Sequence, residues 1–142
     1  MAYANDYHSL RGNSSWAGSD GVKQQAIIKA TDYIEQTFAR RWTGNSTVNS
    51  LLSWPRYGAP YYNSNIIPEG LKKATAELAL EALTGQLNPN IAPNQIVKRE
   101  KVDIIDTEYV TSGPQYIVRP AVTGLLAGLL TGSAFNIPVV RV

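Results

Sequence analysis

Cysteine is absent from the 142 residues. That excludes disulfide staples, thiolate catalysis and Cys-ligated zinc, and it suits assembly in a reducing cytoplasm. Histidine occurs once, as His8, and reads as a polar or partly packed residue of a short helix. No Gly-x-Ser-x-Gly, Walker or HExxH pattern occurs, so the sequence predicts no enzyme, no cofactor and no metal. An excess of either charge is also missing: 13 basic and 11 acidic residues leave a net +2, too balanced to announce nucleic-acid binding by charge alone. The opening MAYANDYHSL lacks a basic segment followed by an apolar one, which predicts no secretory signal. Internal repeats and low-complexity tracts are absent as well.

Long hydrophobic runs are missing too. Pro120 to Val140 carries no charge, and Gly124, Gly128 and Gly132 fall at GxxxG spacing. The strongly apolar block, Ala121 to Leu130, is nevertheless shorter than the ~20 residues a membrane span needs, and Ser133, Asn136 and Pro138 interrupt the residues beyond it. A short buried helix opened by Pro120 and an extended arm over 133–142 are expected, with no membrane partner.

What the chain does contain is helical periodicity. With 44% hydrophobic residues it can fill the core of one domain. Asn5 can cap a short helix, DYHSLRG, closing at Gly12–Asn13, and a small loop with Trp16 comes next. From a cap at Ser19 or Asp20, the spacing of Val22, Ala26, Ile27, Ala30, Tyr33, Ile34 and Phe38 predicts a helix through about Trp42, with Arg40 and Arg41 in its last turn. Pro68 suits the first position of a further helix that Gly85 ends. Its Leu71, Ala74, Thr75, Leu78, Ala79, Ala82 and Leu83 form one face, while Ala76 and Leu80 lie outside it. A helix apolar on more than one side requires two neighbours, and a second subunit is one way to supply them. The fold class expected is mainly α: a small helical bundle over 1–132, with a short β element near 97–118 and the C-terminal arm.

Between the two long helices, residues 43–67 hold Leu51, Leu52, Trp54, Tyr57, Tyr61, Tyr62, Ile66 and Ile67, with Arg56 as the only charge. Aromatics around one arginine have the composition of an interface core, so an ordered loop with Trp54 buried and Arg56 paired is expected. Trp54, Arg56, Tyr57, Tyr61, Tyr62 and, on the helix, Leu80 are the candidate loop and subunit-interface residues. The competing reading, a platform that stacks single-stranded bases, normally needs a positive groove around it. In VKREKVDIIDTEYV the apolar phase slips at Ile104–Ile105, which predicts a bulge or two short strands. Lys98, Arg99 and Lys101 there are the candidate DNA contacts, although a solvated strand start is the default explanation for them. Asp106 and Glu108 would share a strand face, where a solvated edge that discourages misassembly competes with a cation site.

HSLRGNSSW (8–16), KATDYIEQTF (29–38), LSWPR (52–56), IPEGLKKATAELALEAL (67–83) and VKREKVDIIDTEY (97–109) succeed one another at spacings that resemble a family of small tailed-phage proteins, the head-to-tail adaptors or head-completion connectors. Members also carry the alternative label DnaT-like single-stranded-DNA-binding protein. The resemblance covers nearly the whole chain, and its specificity lies in the ordered set of segments. It implies a structural virion protein of the neck, assembled in the host cytoplasm: a homo-oligomeric ring, expected twelvefold, beneath the portal protein. Tail or stopper (nozzle) proteins would dock below, with double-stranded DNA passing through the lumen. On that resemblance the arm would bind portal through Phe135, Ile137, Val139, Val140, Arg141 and Val142. Fully extended, residues 133–142 reach on the order of 33–36 Å. The alternative label implies instead that the Trp54 loop and Lys98, Arg99 and Lys101 contact single-stranded DNA.

Overall fold

The computed structural model describes residues 1–47, 51–60, 62–89 and 119–131, together with the backbone of 99–102 and 105–108. The fold is mainly α, as the periodicity predicts, with short β elements. The chain divides into two units, one formed by residues 1–87 with the segment from Arg119 onward, the other by Asn88–Val118.

In the first unit, helix α1 (Ala2–Leu10) starts ahead of the expected cap. Asn5 lies inside the helix, and its Oδ1 accepts from Trp16 Nε1 at 2.8 Å, holding the small loop after the helix. Helix α2 (Asp20–Phe38) is capped by Ser19, whose side chain accepts from the Val22 amide. It stops four residues short of Trp42. The reason is tertiary: Trp42 forms an antiparallel bridge with Leu130, the Thr43 amide donates to Leu129 O at 2.9 Å, and the Thr131 amide donates to Arg41 O at 2.6 Å. Arg40 and Arg41 therefore stand in the turn beyond the helix and not in its last turn.

Helix α3 (Glu69–Thr84) is preceded by Pro68 at the cap position. Ala74, Leu78, Ala79 and Ala82 are buried on the predicted face, and Ala76 is buried on another side. No second subunit is needed to cover that side, because α1, α2 and the last helix all pack on α3. Tyr7 OH donates to Glu77 Oε1 at 2.6 Å, Tyr3 OH to Glu69 Oε1 at 2.5 Å, and His8 reaches the Ala76 carbonyl. Burial, reinforced by these carboxylate acceptors, pushes both phenols up to about 12. Helix α4 (Pro120–Leu126) opens with proline as predicted and runs into a 3-10 turn, Ala127–Leu129. At its closest approach to α3, a Cβ on Gly70 would lie 2.5 Å from Leu125 O, so only glycine fits there. No described helix is long and apolar enough to cross a membrane.

Within residues 43–67, β1 (Asn45–Ser46) pairs antiparallel with β2 (Arg56–Tyr57), a ladder that periodicity did not anticipate. The second unit carries β3 (Arg99–Val102) and β4 (Ile105–Glu108), paired antiparallel within the chain. Of the two expectations for this stretch, the pair of short strands is correct, with Val102 paired to Ile105. The arm 133–142 lies outside the described residues, as do Tyr61 and Lys98.

His8 shows how deeply α1 is docked, being only 1% exposed. The Ala76 carbonyl can only accept, so Nε2 carries the proton, and Nδ1 accepts from the Asn13 amide at 3.0 Å. Burial lowers the imidazole pKa below its ordinary value. The unfolded chain therefore takes up this proton more readily than the folded one. The resulting stability is complete above the unfolded pKa of about 6.5 and is lost as pH falls toward the lower folded value. Thermal melts at about pH 7.5 and about pH 5.5 should show a drop in Tm that is smaller in His8→Gln, whose amide can donate where Nε2 does but does not titrate. An equal drop in both proteins would remove His8 as its source.

Candidate functional site

Among the described residues between α2 and α3, Trp54 packs near the end of α2. Trp54 is 4% exposed. Its ring meets Trp42 edge-on at 5.9 Å and Tyr62 edge-on at 6.1 Å, while Trp42 lies 6.0 Å from Phe38. Such edge contacts add to the area these rings bury. The two buried indole Nε1 atoms of Trp42 and Trp54 find no acceptor among the described residues. A buried tryptophan enclosed by other rings presents no free face to a base, so the loop's central aromatic is structural.

Arg56 is paired, though with main chain. Its Nε donates to Thr43 O at 2.9 Å, Nη2 to Gly44 O at 2.8 Å and Nη1 to Ser53 O at 3.2 Å. The planar fork thus closes the loop on itself, a task the point charge of lysine would not match. Glu35 of α2 accepts from both the amide and the hydroxyl of Ser53, tying the loop to the helix. Gly44 is required at the crossing: its φ is +71°, and a Cβ would lie 2.7 Å from Tyr57 O. Of the remaining loop candidates, Tyr62 is partly buried and Tyr57 is half-exposed, at 50%.

Leu80 is partly buried on α3 beside Arg119, a residue the sequence reading missed. Arg119 forms a two-pronged bond to Glu81 (Nε–Oε2 and Nη2–Oε1, each 2.7 Å) and also donates to Leu87 O at 2.7 Å and Tyr33 OH at 2.9 Å. Its guanidinium carbon stands 4.7 Å from the centroid of the Tyr33 ring. The hydrogen bonds to Glu81 raise its pKa further. One side chain thereby joins α2, α3 and the start of α4. Nothing local marks it, since its partners lie 32 to 86 residues away.

Chemistry has little foothold. Both ring nitrogens of His8 are engaged with the protein itself. Among the described residues no three His, Asp or Glu side chains gather as metal ligands do. A groove of about 370 Å³ lies against α1, α2 and α3, walled by Ala4, Ile27, Ile34, Trp54, Leu71 and Ala76, and is mostly apolar. In the second unit the register sets position 99 opposite Glu108 and position 101 opposite Asp106. Two of the candidate DNA contacts, Arg99 and Lys101, are therefore each matched by a carboxylate position across the ladder.

Residues 1–142 match, over their full length, the model of the family described as "Putative DnaT-like ssDNA binding protein". No curated protein and no solved structure matches the chain. The full-length match corrects the head-to-tail adaptor expectation, and with it the virion role, the portal and tail or stopper partners, the twelvefold ring and the double-stranded DNA in its lumen. Phe135, Ile137, Val139, Val140, Arg141 and Val142, assigned to portal on that resemblance alone, lie outside the described residues. The features read as calling for neighbouring subunits have a nearer explanation, because α3 finds its neighbours within the chain.

If Trp54 is structural, its substitution should register in folding. Trp54→Ala should cost about 3–5 kcal/mol in urea denaturation. Trp54→Phe, which keeps a ring and removes the unpaired indole donor, should cost much less. Equal costs, or none for alanine, would contradict the packing role.

Proposed function

Because the chain belongs to the DnaT-like ssDNA binding protein family, we propose that it binds single-stranded DNA and performs no chemistry on it. The observation that carries this reading is the match over residues 1–142. The residue chemistry supports it in three ways. The chain is rich in tyrosine, with 8 in all, and arginine and tyrosine are the side chains that meet phosphates and stack on bases. Tyr57 presents an accessible ring on an ordered ladder. The only histidine, the commonest general base, is committed to packing.

A net charge of +2 sets the character of such binding. Few cations are available to displace counterions from the strand, so affinity should be moderate and its salt dependence shallow. For two to four phosphates neutralised, log K should fall with log salt at a slope of roughly −1.5 to −3. Fluorescence anisotropy with a labelled oligothymidine and the matching duplex should show preferential retention of the single strand at low salt, with a slope in that range. Absence of single-strand binding at low salt, or equal retention of duplex, would sink the reading.

A further inference from the structure

The balanced net charge hides a segregation along the chain. All 11 carboxylates lie in residues 1–35 and 69–108. Residues 36–68 and 109–142 contain none, and every cation in them is an arginine. Folding brings these two acid-free stretches together at one place, the exit of α2. There Thr43 donates to Leu129 O through both its amide (2.9 Å) and its hydroxyl (3.1 Å). Thr131 donates in the same two ways to Arg41 O, and Trp42 bridges Leu130 between them.

The two carboxylates that flank the first stretch in sequence are held by the fold: Glu35 accepts from Ser53 and Glu69 from Tyr3. Arg40 and Arg41 stand exposed in the turn beyond α2, outside the helical register that would have directed them along its side. Neither forms an ion pair among the described residues; Arg41 lies only at the edge of cation–π range of Phe38, at 5.8 Å. Arg56 contributes no mobile charge, since its fork is spent on three carbonyls, but it fixes β2. On that ladder Tyr57 pairs with Asn45, a few residues along the chain from Arg41. Two exposed arginines without an ion pair among the described residues and a half-exposed tyrosine, on a stretch of chain that carries no carboxylate of its own, are the components of a single-strand contact.

We propose that this end of the molecule, carrying Arg40, Arg41 and Tyr57, is the face along which single-stranded DNA runs, with the arginines on phosphates and the tyrosine ring stacked on a base. The proposal rests on the single-strand reading above and adds the location to it. It also shifts the contact away from Lys98, Arg99 and Lys101. A short segment of one sign raises the local potential even when the whole chain is nearly neutral, because charges beyond about 8–10 Å are screened at physiological salt.

The test is anisotropy titration of labelled oligothymidine with the full chain and four variants, each checked for an unchanged melting temperature. Replacing both arginines (Arg40→Ala with Arg41→Ala) should weaken binding at least about tenfold at low salt and make the salt slope shallower by about 1.4, two cations at about 0.7 each. Tyr57→Ala should weaken it roughly fivefold or more, with Tyr57→Phe restoring the loss. The triple change Lys98→Ala, Arg99→Ala and Lys101→Ala should leave most of the affinity. If the wild-type chain binds and the triple variant loses the strand while the arginine pair does not matter, the face is wrong and the single-strand reading stands. If the wild-type chain does not bind at all, the reading fails, and the face fails with it.

Discussion

The enclosure of α3 is the constraint on which the rest of the first unit depends. A helix with small apolar residues on more than one side has to be covered on each of them, and the chain does so with α1, α2 and α4. Alanine at positions 74, 76, 79 and 82 allows close approach, and Gly70 lets the α4 backbone come nearer still. Apolar burial supplies attraction without direction. Direction comes from a few polar links that have one solution: His8 on the Ala76 carbonyl, Tyr7 on Glu77, and the fork of Arg119 on Glu81, Tyr33 and Leu87. Once Arg119 sets the start of α4, Leu129–Thr131 arrive beside the end of α2 and draw Trp42 out of the helix.

That displacement has an electrostatic consequence. Had α2 continued to Trp42, Arg40 and Arg41 would have served its C-terminal dipole. Placed in a turn, they are available to a ligand. Carboxylates are handled in the opposite way: Glu35, Glu69, Glu77 and Glu81 each accept a hydrogen bond from a side chain or amide of the same unit. Acids thus spend their acceptor capacity on the fold while two arginines remain outward, which is how a nearly neutral chain can still present a surface to a polyanion.

Much of this was legible in the sequence, and the illegible parts have specific causes. Helix α2 and helix α3 could be read from period and caps because their signals are local: Ser19 before the apolar series, Pro68 and Gly85 around it, Pro120 at the start of α4. The burial of Trp54 could be inferred from cost, since so many large apolar groups near one charge do not remain in water. The β1–β2 ladder was invisible because two-residue strands have no period to detect. Arg119 was overlooked because a lone arginine before a proline looks like any surface cation. The two-sided apolarity of α3 is legible, but whether the second neighbour comes from the same chain or another subunit is not. Periodicity shows how many sides of a helix must be covered, not which chain covers them.

The sequence by itself determined which segments are mainly helical and that Trp54 is buried. It also contained the uneven distribution of carboxylates, a property of composition that requires no coordinates. Only the tertiary structure decided that the two acid-free stretches meet, that α2 ends before its arginines, that Arg56 pairs with main-chain carbonyls, and that Tyr57, unlike the buried Trp54, stays half-exposed. The physical reason is range. Helix propensity and capping act over a few residues, whereas the hydrogen bonds of Thr43 and Thr131, like those of Arg119, join groups tens of residues apart and exist only once the core has brought them together.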